Sequence, residues 1–131
     1  MRKIIFAITM GLLLTACDPG SNCSVYVKNN CSDTVCVITT KEYSDNRPTG
    51  TKNTHIAPNE NMLIHKDLIL STPPELDFIR LYFFSTITII KGNNASKRDF
   101  MNPQLWELTT NKKGSNYDAK FNLTVNPKDF E

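Results

Sequence analysis

The stretch from Tyr117 to Val125 constrains the fold most strongly. Its side chains alternate strictly between apolar residues, Tyr117, Ala119, Phe121, Leu123 and Val125, and polar residues, Asp118, Lys120, Asn122 and Thr124. Successive side chains of a β-strand point to opposite faces, so the alternation predicts a strand with one buried and one solvated face. This is the pattern of an antiparallel sheet packed on one side.

Other short segments extend the β pattern. "QLWELTT" precedes the alternating strand across "NKKGSN", which predicts a hairpin with Gly114 at its tip and Trp106 in the core. "NTHIA" and "NMLIHK" flank a Pro58-Asn59-Glu60 turn and follow a polar loop over residues 44–53. Each of these runs is short and ends in turn-forming residues, as strands do.

Two further segments near the start of the domain are rich in β-branched residues. "CSVYVKN" and "TVCVITT" are separated by the turn formers "NCSD". Paired as a hairpin, they would place Val25, Val27, Cys36 and Ile38 on one face. Cys36 is then a packing residue of the core.

The most apolar part of the chain follows Pro73-Pro74. "TITIIKG" predicts a strand that ends in a turn over residues 92–94. For "LDFIRLYFF" the aromatic and β-branched density favours a strand with Ile79, Leu81 and Phe83 on one side. A helix from Pro74 to about Phe84 is the alternative, because proline is tolerated in a first helical turn.

Together these segments predict about seven or eight short strands and no long helix. That count favours an all-β fold, an antiparallel β-sandwich of immunoglobulin-like or similar type. Residues 23–131 would form one domain, which is an ordinary size for a compact core.

The N-terminus has the three parts of a secretory signal peptide. Arg2 and Lys3 precede 13 mostly apolar residues, Ile4 to Ala16. A transmembrane helix needs about 20 apolar residues, so this segment is too short to cross a bilayer. We expect residues 1–16 to be removed from the exported protein.

Leu14-Thr15-Ala16-Cys17 resembles the bacterial lipobox. The resemblance implies cleavage before Cys17 and acylation of that cysteine, with palmitate among its chains. Two or three acyl chains are sufficient for stable membrane anchoring. Residues 17–22 would then be the lipidated cysteine and a short spacer, and membrane lipid becomes the first predicted partner.

The net charge and the remaining cysteines limit the partners and sites expected of the mature chain. Arg2 and Lys3 account for the formal net charge of +2, so the mature chain is neutral and gives no reason to expect nucleic acid as a partner. Cys23, Cys31 and Cys36 remain, an odd number, so a disulfide between two of them would leave one thiol over. A zinc site from these cysteines with His55 and His65 matches no common spacing.

Catalytic signatures are missing from the sequence. It contains no nucleophile elbow, phosphate-binding loop or dinucleotide fingerprint. His55 and His65 occupy ordinary positions in strand-like runs, although a cysteine–histidine pair could still form in space. We expect a protein that is not an enzyme and that uses neither a cofactor nor a metal.

Several segments resemble small lipoproteins of Bacteroidota, most of which have no assigned function. These are "CDPGSNC", "VYVKNNCSDTVCVI", "HIAPNENMLIHK", "LYFFSTITIIKG" and "FNLTVNPKDF". The resemblance implies an exported protein held on a bacterial membrane by lipid. The outer membrane is the expected location, the inner membrane is the alternative, and the side of the membrane is open. Asp33-Thr34-Val35 also resembles the O-glycosylation acceptor pattern of those bacteria, which makes Thr34 the predicted acceptor.

The sequence therefore predicts a lipid-anchored binding or structural module of the cell envelope, with a protein or glycan as partner. An inhibitor or immunity lipoprotein acting against a toxin is the first alternative. An enzyme with a cysteine–histidine site is the second.

Overall fold

The computed structural model describes residues 20–45 and 47–131, and this part of the chain is an all-β sandwich. It contains eight strands: β1 (Gly20–Asn29), β2 (Val35–Lys41), β3 (Gly50–Ile56), β4 (Asn61–Leu70), β5 (Thr86–Lys91), β6 (Asn94–Ala95), β7 (Trp106–Lys113) and β8 (Asn116–Val125). The predicted fold class and number of strands are confirmed. The predicted signal peptide and Cys17 lie outside the described residues.

The strands form two sheets of four. The first sheet has the order β4-β1-β8-β7 and the second has the order β3-β2-β5-β6. All neighbouring pairs are antiparallel except β1 and β8, which run parallel with Val25 opposite Phe121. The first and last strands of the sandwich are therefore central neighbours in one sheet.

The core lies between the two sheets, and most of the apolar residues of the predicted alternation in β8 belong to it. Ala119, Phe121, Leu123 and Val125 are buried. Trp106 is buried as predicted, and its indole Nε1 donates a hydrogen bond of 2.8 Å to the carbonyl oxygen of Phe100. Gly114 adopts a φ of +63° in the tight turn between β7 and β8, a conformation that glycine adopts without strain.

The predicted hairpin of β1 and β2 is wrong, because the two strands belong to different sheets. Residues 30–34 cross between the sheets, and the side-chain amide of Asn29 donates to the carbonyl oxygens of Asp33 and Ile56 at 2.8 and 2.9 Å. The crossing sets the phase of β2, so that Val35 and Val37 are buried.

Cys36 is consequently not a core residue. Cys36 and Ile38 lie on the other face of β2 from the buried valines and are only half-buried. Alternate residues of a strand face opposite sides, so a phase error of one residue exchanges the buried and outer sets.

The predicted strand over residues 76–84 is also wrong. Turns and a π-helical segment, Ile79–Phe83, occupy this part of the β4–β5 connection, so the helical alternative was closer. The rings of Phe78 and Phe83 pack on Phe121 with centroid distances of 6.2 and 5.3 Å. Leu81 is exposed rather than aligned with Ile79 and Phe83. Helical spacing brings Phe78, Ile79 and Phe83 to the core together, which an extended strand does not.

Both ends of the sandwich are defined by the strand register. At one end, called the proximal end here, Gly20 lies opposite Leu70 and Thr86 lies opposite Thr40. The β4–β5 connection covers this end, and Ser21 Oγ donates to the carbonyl oxygen of Thr72 at 2.8 Å. Because β1 begins at Gly20, residues 20–22 of the predicted spacer belong to the strand.

The C-terminus is fixed at the opposite end. Residues Pro127–Phe130 form a 3-10 helix, with a shorter one at Pro103–Leu105. The buried carboxylate of Asp129 forms an ion pair with Arg98 and accepts a 2.8 Å hydrogen bond from the backbone N–H of Asn126. These contacts hold the end of the chain against the sandwich.

Candidate functional site

A cleft opens at the edge of the sandwich, between β3 of the second sheet and β4 of the first. Its volume is about 390 Å³. The two strands lie at the edges of their sheets, and Lys52 Nζ bridges them by donating to the carbonyl oxygen of Ile64 at 3.2 Å. Charged and aromatic side chains line this edge cleft: Lys41, Tyr43, Lys52, His65, Lys66, Asp67, Tyr82, Phe83 and Phe84.

A β-bulge in β4 turns His65 into the edge cleft. Val25 of β1 lies opposite His65, whereas the next residue, Tyr26, lies opposite Leu63, so Ile64 is the extra residue. A bulge of this kind bends its strand and re-aims the neighbouring side chain. Ile64 is buried, and His65 lies opposite the buried Val25.

The imidazole of His65 packs against two aromatic rings, which also contact each other at a centroid distance of 6.3 Å. Its centroid lies 5.2 Å from that of Phe83 and 5.2 Å from that of Phe84. Burial against these rings is the main cause that lowers the pKa of His65, and Lys52 and Lys41 lower it further, while Asp67 opposes them. The imidazole is therefore neutral at neutral pH.

The Nε2 atom of His65 is buried without a hydrogen-bond partner in the described part of the chain. The carboxylate Oδ2 of Asp67 lies 3.7 Å from it, which is too far for a hydrogen bond. If the ring were protonated, the carboxylate of Asp67 at this distance would be the nearby negative charge that stabilises it, without a hydrogen bond. A ligand that brought a further negative charge into the edge cleft would favour the protonated ring.

Positive charge and aromatic surface predominate at the edge cleft. Lys41, Lys52 and Lys66 line it together with one carboxylate, that of Asp67. Two tyrosines, Tyr43 and Tyr82, also line it, and both are among the exposed large apolar side chains. The guanidinium of Arg47 lies 4.0 Å from the centroid of the Tyr43 ring, which adds a cation at the margin. This combination suits an anion that also has an apolar face.

Of the two predicted site residues the structure describes only Thr34, because Cys17 lies outside the described residues. Thr34 is exposed in the connection before β2, where a modifying enzyme could reach it. His65 lies in the edge cleft, although its position in the sequence looked like that of an ordinary strand residue. Tyr43 and Tyr82 lie in separate connections, and no local motif joins them, so no pattern in the sequence indicates the cleft.

The three described cysteines are free thiols. Burial raises the pKa of Cys23 to about 11 and also raises the pKa of Cys31. The single disulfide that export suggested is therefore not formed among Cys23, Cys31 and Cys36. Among the residues described, no cluster holds three or more side chains that could bind a metal.

One cysteine–histidine pair is formed by the strand register. Cys36 of β2 lies directly opposite His55 of β3, and directly opposite residues have Cβ atoms about 5 Å apart. On its other side Cys36 lies opposite Ile90 of β5. Ile90 therefore neighbours the thiol and not the imidazole. Within the described residues β3 is the edge strand of its sheet, so no strand on its outer side holds a third residue that would orient His55 as in a catalytic triad.

Comparison of the chain with protein-family models, curated proteins and solved structures found no match. Within residues 20–45 and 47–131, no helix is both long and apolar enough to cross a membrane.

Proposed function

We propose that the protein is a bacterial lipoprotein, anchored by acyl chains on Cys17, that binds a ligand of the cell envelope in its edge cleft. The signal peptide and the lipobox-like Leu14-Thr15-Ala16-Cys17 support export and anchoring. The start of β1 at Gly20 supports a short tether, because only two residues separate it from Cys17.

The anchor is tested by growing cells with labelled palmitate. We expect the label in the wild-type protein and none in Cys17→Ser, which should leave the membrane fraction. A Cys17→Ser protein that stays in the membrane fraction would contradict the anchor.

The edge cleft is the observation that carries the binding function. Its volume of about 390 Å³ lies in the range of small-molecule sites, about 300–1,000 Å³. Lys41 and Lys52 supply charge-assisted donors for a carboxylate, and the tyrosine rings supply flat surfaces for the ligand's apolar face. Among envelope ligands, we therefore infer an acidic glycan, such as one that contains a uronic acid.

Binding is tested by titrating the protein with glucuronate and, in parallel, with glucose. The two sugars differ mainly in the carboxylate, so we expect glucuronate to bind at least about tenfold more tightly, the effect of roughly 1.4 kcal/mol. Lys41→Gln should weaken glucuronate binding. The matched control is Lys120→Gln, because Lys120 is exposed on the polar face of β8. Equal affinity for both sugars would contradict an acidic ligand.

His65 provides a second readout of the same site. A bound carboxylate near the ring stabilises its protonated form, so glucuronate should bind more tightly as the pH falls from 7.5 to 5.5. His65→Gln should remove this dependence while His55→Gln retains it. A pH dependence that survives in His65→Gln would place the anion elsewhere.

A further inference from the structure

Two exposed leucines lie beside the first residue of β1. Leu68 and Leu70 of β4 are 53% and 66% exposed. Leu70 lies opposite Gly20, and a Cβ atom built on Gly20 would be 3.6 Å from Leu70 Cδ2 and 3.7 Å from Leu68 Cδ1. Both side chains therefore lie against the point where the described domain begins.

Other exposed apolar side chains share this end of the sandwich. Leu81 is 59% exposed and belongs, with Tyr82, to the connection that covers the proximal end. Leu63 is the contrasting case, because it is exposed on the same strand but lies roughly 20 Å along it from Leu70, at about 3.3 Å per residue. Contiguous exposed apolar groups mark interaction surfaces more often than scattered ones.

The position of Cys17 indicates what covers these leucines. Cys17 precedes Gly20 by three residues, which can span at most about 10 Å. If acyl chains on Cys17 insert into a bilayer, as the proposed function states, Gly20 lies within that distance of the anchored cysteine. The side chains that pack beside Gly20 are then brought to the same membrane surface.

We propose that Leu68 and Leu70 form a membrane-seating patch that inserts into the surface of the phospholipid bilayer beside the acyl chains. This inference rests on the proposed lipid anchor. Burial of apolar side chains at the interface adds to the anchoring by the acyl chains and restricts the domain's rotation on its short tether. The sandwich then stands with its proximal end on the membrane.

The patch is tested with tryptophan reporters in the full-length lipidated protein. Trp106→Phe removes the native tryptophan, and Leu70→Trp or Leu63→Trp adds one reporter to that background. Each protein is reconstituted into vesicles of phosphatidylcholine and phosphatidylglycerol, with or without bromine on the acyl chains. We expect bromine to reduce the emission of Leu70→Trp at least about twofold, since interfacial groups insert about 5–10 Å. Emission of Leu63→Trp should stay unchanged.

Palmitate incorporation is measured on the same preparations. With palmitate present, an unquenched Leu70→Trp, or equal quenching of Leu63→Trp, overturns the membrane-seating patch and leaves the anchor intact. A protein without palmitate overturns the anchor and the patch together. A blue-shifted but unquenched Leu70→Trp in a particle of twice the monomer mass would assign the patch to a second copy and overturn contact with lipid. Circular dichroism of each variant establishes that the leucine replacements, made at exposed positions, retain the fold.

Discussion

Lowering the pH should destabilise the protein through His65. Burial against Phe83 and Phe84 is the main cause that lowers its pKa from the ordinary 6.5. In the unfolded chain the imidazole is in water and titrates near that ordinary value. Between the two pKa values, the unfolded chain binds a proton that the folded protein does not.

Proton linkage determines the direction and the maximum size of this change in the free energy of unfolding. The free energy of unfolding falls as pH drops below about 6.5 and stops falling once the folded protein also binds the proton. One proton contributes at most about 1.4 kcal/mol per pH unit within this window. Above pH 6.5 the contribution of the neutral, packed ring is fully present.

The measurement is urea unfolding at several pH values between 7.5 and 5.0, followed by the fluorescence of the buried Trp106. Carboxylates titrate mostly below this range, and their effect is removed by comparing variants. We expect His65→Gln to flatten the dependence of unfolding free energy on pH, by up to about 1.4 kcal/mol per pH unit. The control is His55→Gln, because His55 is exposed on β3.

Two results would refute this reasoning. Equal pH dependence in the wild-type protein and in His65→Gln would mean that the imidazole is not desolvated. A stability that rises as pH falls toward 5.5, and does so only while His65 is present, would mean that Asp67 outweighs burial and holds the charged ring.

Three further predictions concern the core, the thiols and the surface. Phe121→Ala should lower the free energy of unfolding by about 3–5 kcal/mol, measured in urea, because it leaves a cavity beneath the β4–β5 connection and removes two aromatic contacts. Under native conditions iodoacetamide should alkylate the half-buried Cys36 before the buried Cys23 and Cys31, and peptide mass spectrometry in urea should find all three modified. If Thr34 is glycosylated, the intact mass of protein from the native host should exceed the sequence mass by hexose-sized additions, and Thr34→Ala should lack them.

Local patterns were sufficient for much of the β structure. The alternation over β8 predicted its buried face, and the turn at Gly114 predicted its pairing with β7. Both features depend on neighbours close in sequence, so periodicity and turn chemistry contain the information. Burial of Trp106 followed from the same strand pattern.

The sequence-based predictions were wrong where contacts between residues distant in sequence determine the structure. β2 could have paired with β1 or crossed to the other sheet, and the bonds from Asn29 to Asp33 and Ile56 belong to the crossing. "LDFIRLYFF" contains strand-favouring residues, yet packing of Phe78 and Phe83 on Phe121 holds it in turns and a π-helical segment. Local propensity is weak compared with such tertiary packing.

For the candidate sites too, some features could be predicted from the sequence and others depend on the tertiary structure. By itself the sequence determined the all-β class, the alternation of buried residues and the lipobox-like motif at Cys17, because each depends on residues that are adjacent in the sequence. Only the tertiary structure brought His65 against two phenylalanines and placed Leu68 and Leu70 beside Gly20. These arrangements depend on a bulge and on strand register across about 50 residues of chain, which no local pattern encodes.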